Sequence, residues 1–162
     1  MNYLLDTNTC IYIINKKPAS ALKHIQTKRP DQVAISTITQ AELEYGLARS
    51  RFPERNRIAL LQFLFPFQIL DFDQLAAVQY GTIRSDLESK GKPIGAMDLL
   101  IASQARSKDL ILVTNNEKEF KRIEGLKVEN WVVARCSANS GEREPSNKSL
   151  ELSAKVISCY QR

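Results

Sequence analysis

Tyr3-Leu4-Leu5-Asp6-Thr7-Asn8 begins apolar and turns polar within six residues. A short apolar run that stops so abruptly reads as a buried strand, and Asp6, Thr7 or Asn8 could cap the helix implied by Ile11, Ile13 and Ile14. The pattern repeats at Val33-Ala34-Ile35, where Ser36 or Thr37 is the cap and Ala41, Leu43 and Leu47 share one face of the following helix. Pro53-Glu54-Arg55-Asn56 opens another helix, with Ile58, Leu61 and Leu64 as its apolar positions and Pro66 as its stop. Gln68-Ile69-Leu70 is a third strand, and Asp71 to Lys90 a long helix. A loop, Gly91-Lys92-Pro93-Ile94-Gly95, separates it from a helix that starts near Met97 and carries Leu99, Leu100, Ile101 and Ala105. Leu110-Ile111-Leu112-Val113 is the clearest buried strand. Strands alternating with helices predict an α/β domain, a central parallel sheet of four to five strands flanked by helices on both faces. Functional residues of such a sheet gather beyond the carboxyl ends of its strands. Asp6, the region of Glu42 and the stretch Thr114 to Glu119 could meet there, and Asp98 could join them from the first turn of its helix.

At 162 residues, 43% hydrophobic and 25% charged, the chain suits one domain with a genuine core. Its longest apolar stretch, 58–70, is broken by Gln62, Pro66 and Gln68, which argues against a membrane span. Met1 leads straight into the first strand without a basic leader, so a cytoplasmic protein is expected. Cys10, Cys136 and Cys159 are odd in number and widely spaced, the pattern of reduced thiols rather than of a zinc site. The formal charge of +5 permits an anionic partner but is equally the mark of a solvated surface. After Glu129-Asn130-Trp131 the texture changes, and 133–162 reads as a flexible C-terminal extension of unknown role, beginning with a polar linker over 137–147. Its basic residues (Arg135, Arg143, Lys148, Lys155, Arg162) outnumber its acidic ones (Glu142, Glu144, Glu151), which leaves 1–132 only mildly basic.

Hydrolysis of a phosphodiester needs stabilisation of developing negative charge and an activated water, and Mg²⁺ or Mn²⁺ supplies both. Such hard ions take oxygen ligands, often one or two carboxylates with several retained waters. Each candidate also has a plainer reading. Asp6 could be a helix cap, Glu42 a solvated helix residue, and Asp98 a partner of the helix dipole. Glu117 and Glu119 flank Lys118 in a charged segment. His24, the single histidine, stands between Lys23 and Ile25 on a surface helix and reads as structural rather than as a general base.

Taken in order, these residues resemble the PIN-domain ribonucleases, and within them the VapC toxins of bacterial toxin-antitoxin pairs. The motifs are Leu5-Asp6-Thr7-Asn8, Ala41-Glu42-Leu43 with Tyr45-Gly46, Gly95-Ala96-Met97-Asp98, and Val113-Thr114-Asn115-Asn116 followed by Glu119-Phe120. The resemblance covers about residues 1–132 and implies a PIN ribonuclease domain there. Lys17-Pro18-Ala19-Ser20, Pro53-Glu54-Arg55-Asn56 and Glu129-Asn130-Trp131 resemble the branch that cuts the anticodon loop of initiator tRNA and so inhibits translation. The resemblance further implies a Mg²⁺- or Mn²⁺-dependent endoribonuclease, homodimeric and inhibited by a VapB-like antitoxin. Asp6 and Asp98 would be metal ligands, with Glu42 binding directly or through water. Asn115 and Asn116 stand where many PIN domains carry Asp, so Asn116 is a weaker ligand candidate and Glu119 the substitute for the fourth acid.

Two other functions compete. A haloacid-dehalogenase-like phosphatase also carries an Asp after its first strand, but its second Asp would fall at Asn8. A non-catalytic PIN-like module that binds RNA or an antitoxin is the other, and the intact Asp6, Glu42 and Asp98 argue against it. Phosphate contacts are expected from Lys16, Lys17, Arg49, Arg51 and Lys92. Ile11, Ile14, Leu61 and Phe65 could line a dimer or antitoxin groove, or simply pack in the core.

Overall fold

The computed structural model describes residues 1–132. The expected linker and extension at 133–162 lie outside the described residues. Five strands form one parallel sheet in the order β3-β2-β1-β4-β5: β1 is Tyr3–Leu5, β2 Val33–Ser36, β3 Gln68–Leu70, β4 Ile111–Val113 and β5 Lys127–Glu129. The sequence reading named the first four and stopped short of β5. That strand is a three-residue edge segment, half-exposed and without a clear alternation of apolar residues.

Alternation along the strands divides the core into two layers. Leu4, Ala34 and Leu112 face one side, where Ile83 and Leu87 of α5 (Gln74–Ser89) and Leu99, Ile101, Ala102 and Ala105 of α6 (Ala96–Ser107) cover them. Leu5, Val33, Ile35 and Val113 face the other. They pack beneath α1 (Thr7–Ile14), α2 (Ala19–Gln26), α3 (Thr37–Ala48) and α4 (Pro53–Leu64), together with Trp131. A strand covered on both faces needs apolar residues at every position, which is why these strands read as unbroken apolar runs. The long helix is shorter than expected, because Asp73 caps it by accepting a hydrogen bond from the Ala76 amide at 3.0 Å.

In α4 the inward positions are Asn56, Leu60 and Leu64, four residues apart; Ile58 and Leu61 are more than half exposed, and Phe65 just beyond is 91% exposed. This corrects the expected apolar face, of which only Leu64 points inward, and removes the core-packing explanation for Leu61 and Phe65. Ile11 and Ile14 are half-buried at the margin of the second core layer. The His24 ring stacks on Trp131 with centroids 6.0 Å apart.

One buried polar residue ties the layers together. Gln104 of α6 accepts a hydrogen bond from the Ser36 hydroxyl through its Oε1 and donates from Nε2 to the carbonyls of Leu70 and Asp71, both at 2.9 Å. Ser36 in turn caps α3 by accepting from the Ile38 amide. Replacing Gln104 by Leu strands a hydroxyl and two carbonyls in the interior, and a loss of about 2 to 4 kcal/mol in the free energy of urea unfolding is expected. A loss below 0.5 kcal/mol, by the same urea titration, would contradict this account.

Candidate active site

The chain builds the sheet outward from β1 in one direction through β2 and β3, then returns to place β4 on the other side of β1. Between β1 and β4 the connections diverge, opening a crevice beyond the carboxyl ends of the strands. Asp6 follows β1 and Thr114 follows β4, so these two residues flank the crevice.

Asp6 occupies the N-cap position of α1 yet makes no side-chain capping hydrogen bond. It is 2% exposed, and its Oδ2 accepts from the Thr114 hydroxyl at 2.6 Å. Thr114 is itself buried and receives the Asn116 amide on its Oγ1 at 3.0 Å, which orients the hydroxyl proton toward Asp6. Burial pushes the Asp6 carboxyl up to about 6, with the charge of Glu42 adding to it and the Thr114 bond opposing. The backbone amides of Thr7 and Asn8 at the start of α1 also favour its charged form, so Asp6 faces both its helix and the crevice.

Glu42 lies on α3 just past its first turn and is half-buried. The Thr7 hydroxyl donates to its Oε2, and burial raises its carboxyl above the ordinary range despite that bond. Asp98 stands in the first turn of α6 after Gly95, and a Cβ at Gly95 would come within 3.4 Å of its Oδ2. Its carboxyl is pushed up to about 7, first by burial, then by the charges of Asp6, Glu119 and Glu42. Glu119, on the four-residue helix α7 (Glu117–Phe120), shares a hydrogen bond with Asp98 that favours the protonated form of the aspartate. The fold thus gathers Asp6, Glu42, Asp98 and Glu119 from four separate elements. Among the described residues no ion pair engages Asp6, Glu42 or Asp98.

Asn116 is brought to the rim, but its contact with the cluster runs through its backbone amide to Thr114. Asn115 is exposed and its Nδ2 donates to the Tyr12 hydroxyl at 3.2 Å. Glu117 pairs with Lys121 and Asn130. Thr7 and Thr114 are the residues that sequence reasoning passed over as site members. A hydroxyl directly after a buried strand, or directly after the acid that ends one, is well placed to donate to a carboxylate across the crevice, but nothing local in the sequence identifies that carboxylate.

These donors are all hard oxygens, the set that Mg²⁺ or Mn²⁺ prefers. Among the described residues no three His, Cys, Asp or Glu side chains close into a complete ligand set. Mg²⁺ ordinarily takes one or two carboxylates and keeps its waters, so the open arrangement fits it. Among the described residues no helix is long and apolar enough to cross a membrane.

Comparison with known proteins agrees with this geometry. The PIN-domain profile matches residues 3–126. The tRNA(fMet)-specific endonuclease VapC of Shigella flexneri is 42% identical over 131 residues, spanning 81% of this chain and 98% of that protein. Ribonuclease VapC2 of Rickettsia felis is 47% identical over 132 residues, spanning 81% of this chain and 98% of that protein. The crystal structure of VapBC2 from Rickettsia felis, bound to a DNA fragment from its promoter, superposes with a TM-score of 0.77 at 46% identity, covering 82% of this chain and 100% of that one. With the carboxylates at the switch point of a five-stranded parallel sheet and relatives matched over nearly their whole length, the chain belongs to the PIN-domain family, in its VapC branch.

Proposed function

We propose that this protein is the toxin of a toxin-antitoxin pair, an endoribonuclease dependent on Mg²⁺ or Mn²⁺ that cuts the anticodon loop of initiator tRNA. The observation that carries the catalytic reading is the convergence of Asp6, Glu42, Asp98 and Glu119 at one crevice, where burial raises the carboxyls of the first three and repulsion from neighbouring acids adds to it at Asp6 and Asp98. A cation relieves that repulsion. Asp6 and Asp98 would hold it, Glu42 would bind directly or through water, and Glu119 would act beside Asp98. When bound, the ion supplies positive charge to the phosphate in the transition state and lowers the pKa of the attacking water.

The remaining work falls to the chain itself. Thr114 donates to one oxygen of Asp6 and fixes the orientation of its carboxylate. Thr7 does the same for Glu42. Asp98, whose bond to Glu119 favours its protonated form, would have to lose that proton to serve as a ligand. The substrate is inferred from the Shigella relative, a tRNA(fMet)-specific endonuclease. A VapB-like antitoxin and a second copy of this chain are the proposed partners, in keeping with the Rickettsia assembly and with the apolar side chains of Leu61 and Phe65 left in solvent on α4. Residues 1–132 form the nuclease domain in this reading.

Purified initiator tRNA should be cut at one anticodon-loop position in Mg²⁺, and elongator tRNAs should remain intact. EDTA should stop the reaction, and deletion after Val132 should leave its rate within about twofold, since the acids and both core layers precede that point. Initiator tRNA retained by the protein but uncut in Mg²⁺ or Mn²⁺, by the full and the shortened chain alike, would mean a binding module instead of an enzyme.

A further inference from the structure

Beyond Glu42, the outward side of α3 carries an exposed strip of aromatic rings and guanidinium groups. Residues three and four apart on a helix share a side, so Glu42, Tyr45 and Arg49 form one ridge, while Thr39, Leu43, Gly46 and Leu47 are buried. At 1.5 Å per residue, Tyr45 stands about 4.5 Å and Arg49 about 10 Å along the axis from Glu42. The Tyr45 ring is 50% exposed. Arg49 donates from Nη1 to the Tyr45 hydroxyl at 2.9 Å, with its guanidinium 5.8 Å from the ring centroid. Just past the helix, the Arg51 guanidinium lies 5.7 Å from the ring of Phe52, which is 46% exposed.

Two other exposed arginines are neutralised by acids, unlike those of this strip. Arg84 also lies over a tyrosine, Tyr80, but is paired with Glu88 at 2.8 Å, and Arg57 is paired with Glu44 at 3.4 Å. Among the described residues neither Arg49 nor Arg51 enters an ion pair, so their charge stays available for an anion. The ridge also begins at one of the clustered carboxylates. Exposed rings, un-neutralised cations and continuity with the crevice are together what a single-stranded nucleic acid requires: faces for bases and positive charge for phosphates.

We propose that this side of α3, from Tyr45 through Arg49 to Arg51 and Phe52, is the track on which single-stranded RNA lies, with one base stacked on Tyr45 and Arg49 at a flanking phosphate. The inference rests on the ribonuclease reading and adds the substrate path to it. Stacking accepts any base, so the track sets affinity and register while base choice is made elsewhere.

Binding is best measured on Asp98→Asn protein, which is expected to hold RNA without cutting it, using initiator tRNA and oligouridine as probes. Tyr45→Ala is expected to weaken binding of both about tenfold to a hundredfold. In the cleaving protein the same change should raise KM by a similar factor with a much smaller effect on kcat. Tyr45→Trp keeps a stacking surface and should restore most of the affinity. Arg49→Ala should lower the slope of log affinity against log salt by about one. Arg29→Ala, a charge removed at the opposite end of β2, should leave Tyr45-dependent binding as it was. If Tyr45→Ala binds both RNAs as tightly as its parent, the inference is overturned, whether or not the change alters the oligomeric state. A wild-type chain that binds RNA through Tyr45 yet cuts none in Mg²⁺ or Mn²⁺ would refute the nuclease reading while leaving the track in place.

Discussion

Asp98→Asn protein is expected to cut RNA at least about a thousandfold more slowly than the natural chain under saturating Mg²⁺. The substitution keeps the shape of the side chain and removes its charge, so it tests the carboxylate rather than the packing around it. Stabilisation of a phosphate transition state by a correctly held cation is worth several kcal/mol, and each 1.36 kcal/mol is a factor of ten in rate. Asp6→Asn should do equal damage, because Asp6 is the most deeply buried acid of the cluster and is fixed in place by the Thr114 hydroxyl. Glu119 acts through Asp98, and Glu119→Gln should cost about tenfold to a hundredfold, the usual range for a residue that orients a ligand. Single-turnover cleavage of initiator tRNA, with each protein checked for folding by circular dichroism, separates these cases. Asp98→Asn activity within tenfold of the natural chain would remove the carboxylates from the mechanism.

Much of this site could be read from sequence because it sits where strand patterns are strongest. The apolar runs of β1 and β4 mark their own carboxyl ends, and Asp6 comes directly after one of them. Asp98 was signalled by the loop of glycine and proline that precedes α6, and Glu42 by its motif context alone, since its helix face would accept a glutamate anyway. What stayed hidden depends on distance along the chain. Thr7 reaches Glu42 across 35 residues and Thr114 reaches Asp6 across 108, and no local pattern encodes a hydroxyl's partner. Strand β5 has too little periodicity to announce itself. In α4 the error had a different origin. Leu60 and Leu64 form one apolar stripe and Ile58, Leu61 and Phe65 another, so sequence alone could not say which stripe the core would take.

Without a divalent cation, the protein should lose stability as pH rises from about 4 to 8, the reverse of ordinary acid denaturation. The sign follows from the carboxyls of Asp6 and Asp98, which stand near 6 and 7 in the folded chain against an ordinary 3.8. The folded state then binds more protons than the unfolded one between those values, so unfolding releases protons and is favoured by base. The stabilisation from these two acids is complete below about pH 4, declines through neutrality and is gone above about pH 8. Displacement of Asp98 from 3.8 to about 7 corresponds to about 4 kcal/mol. Asp98 is only partly buried, and screening by water at its open side brings the expected effect nearer 2 to 3 kcal/mol. Carboxylates whose pKa is lowered, such as Asp73 beside Lys108 and Glu117 beside Lys121, work in the opposite sense and lose their contribution as pH falls through their folded values. The comparison must therefore be a difference: urea unfolding of the natural chain and of Asp98→Asn, both in EDTA, from pH 5 to pH 8. Asp98→Asn should become the more stable of the two as pH rises, by about 2 kcal/mol at pH 8. Added Mg²⁺ should close that gap by stabilising the natural chain alone, because only there does the cation replace a proton on Asp98. Two parallel curves, unmoved by Mg²⁺, would mean that these carboxylates do not share a cation-binding crevice.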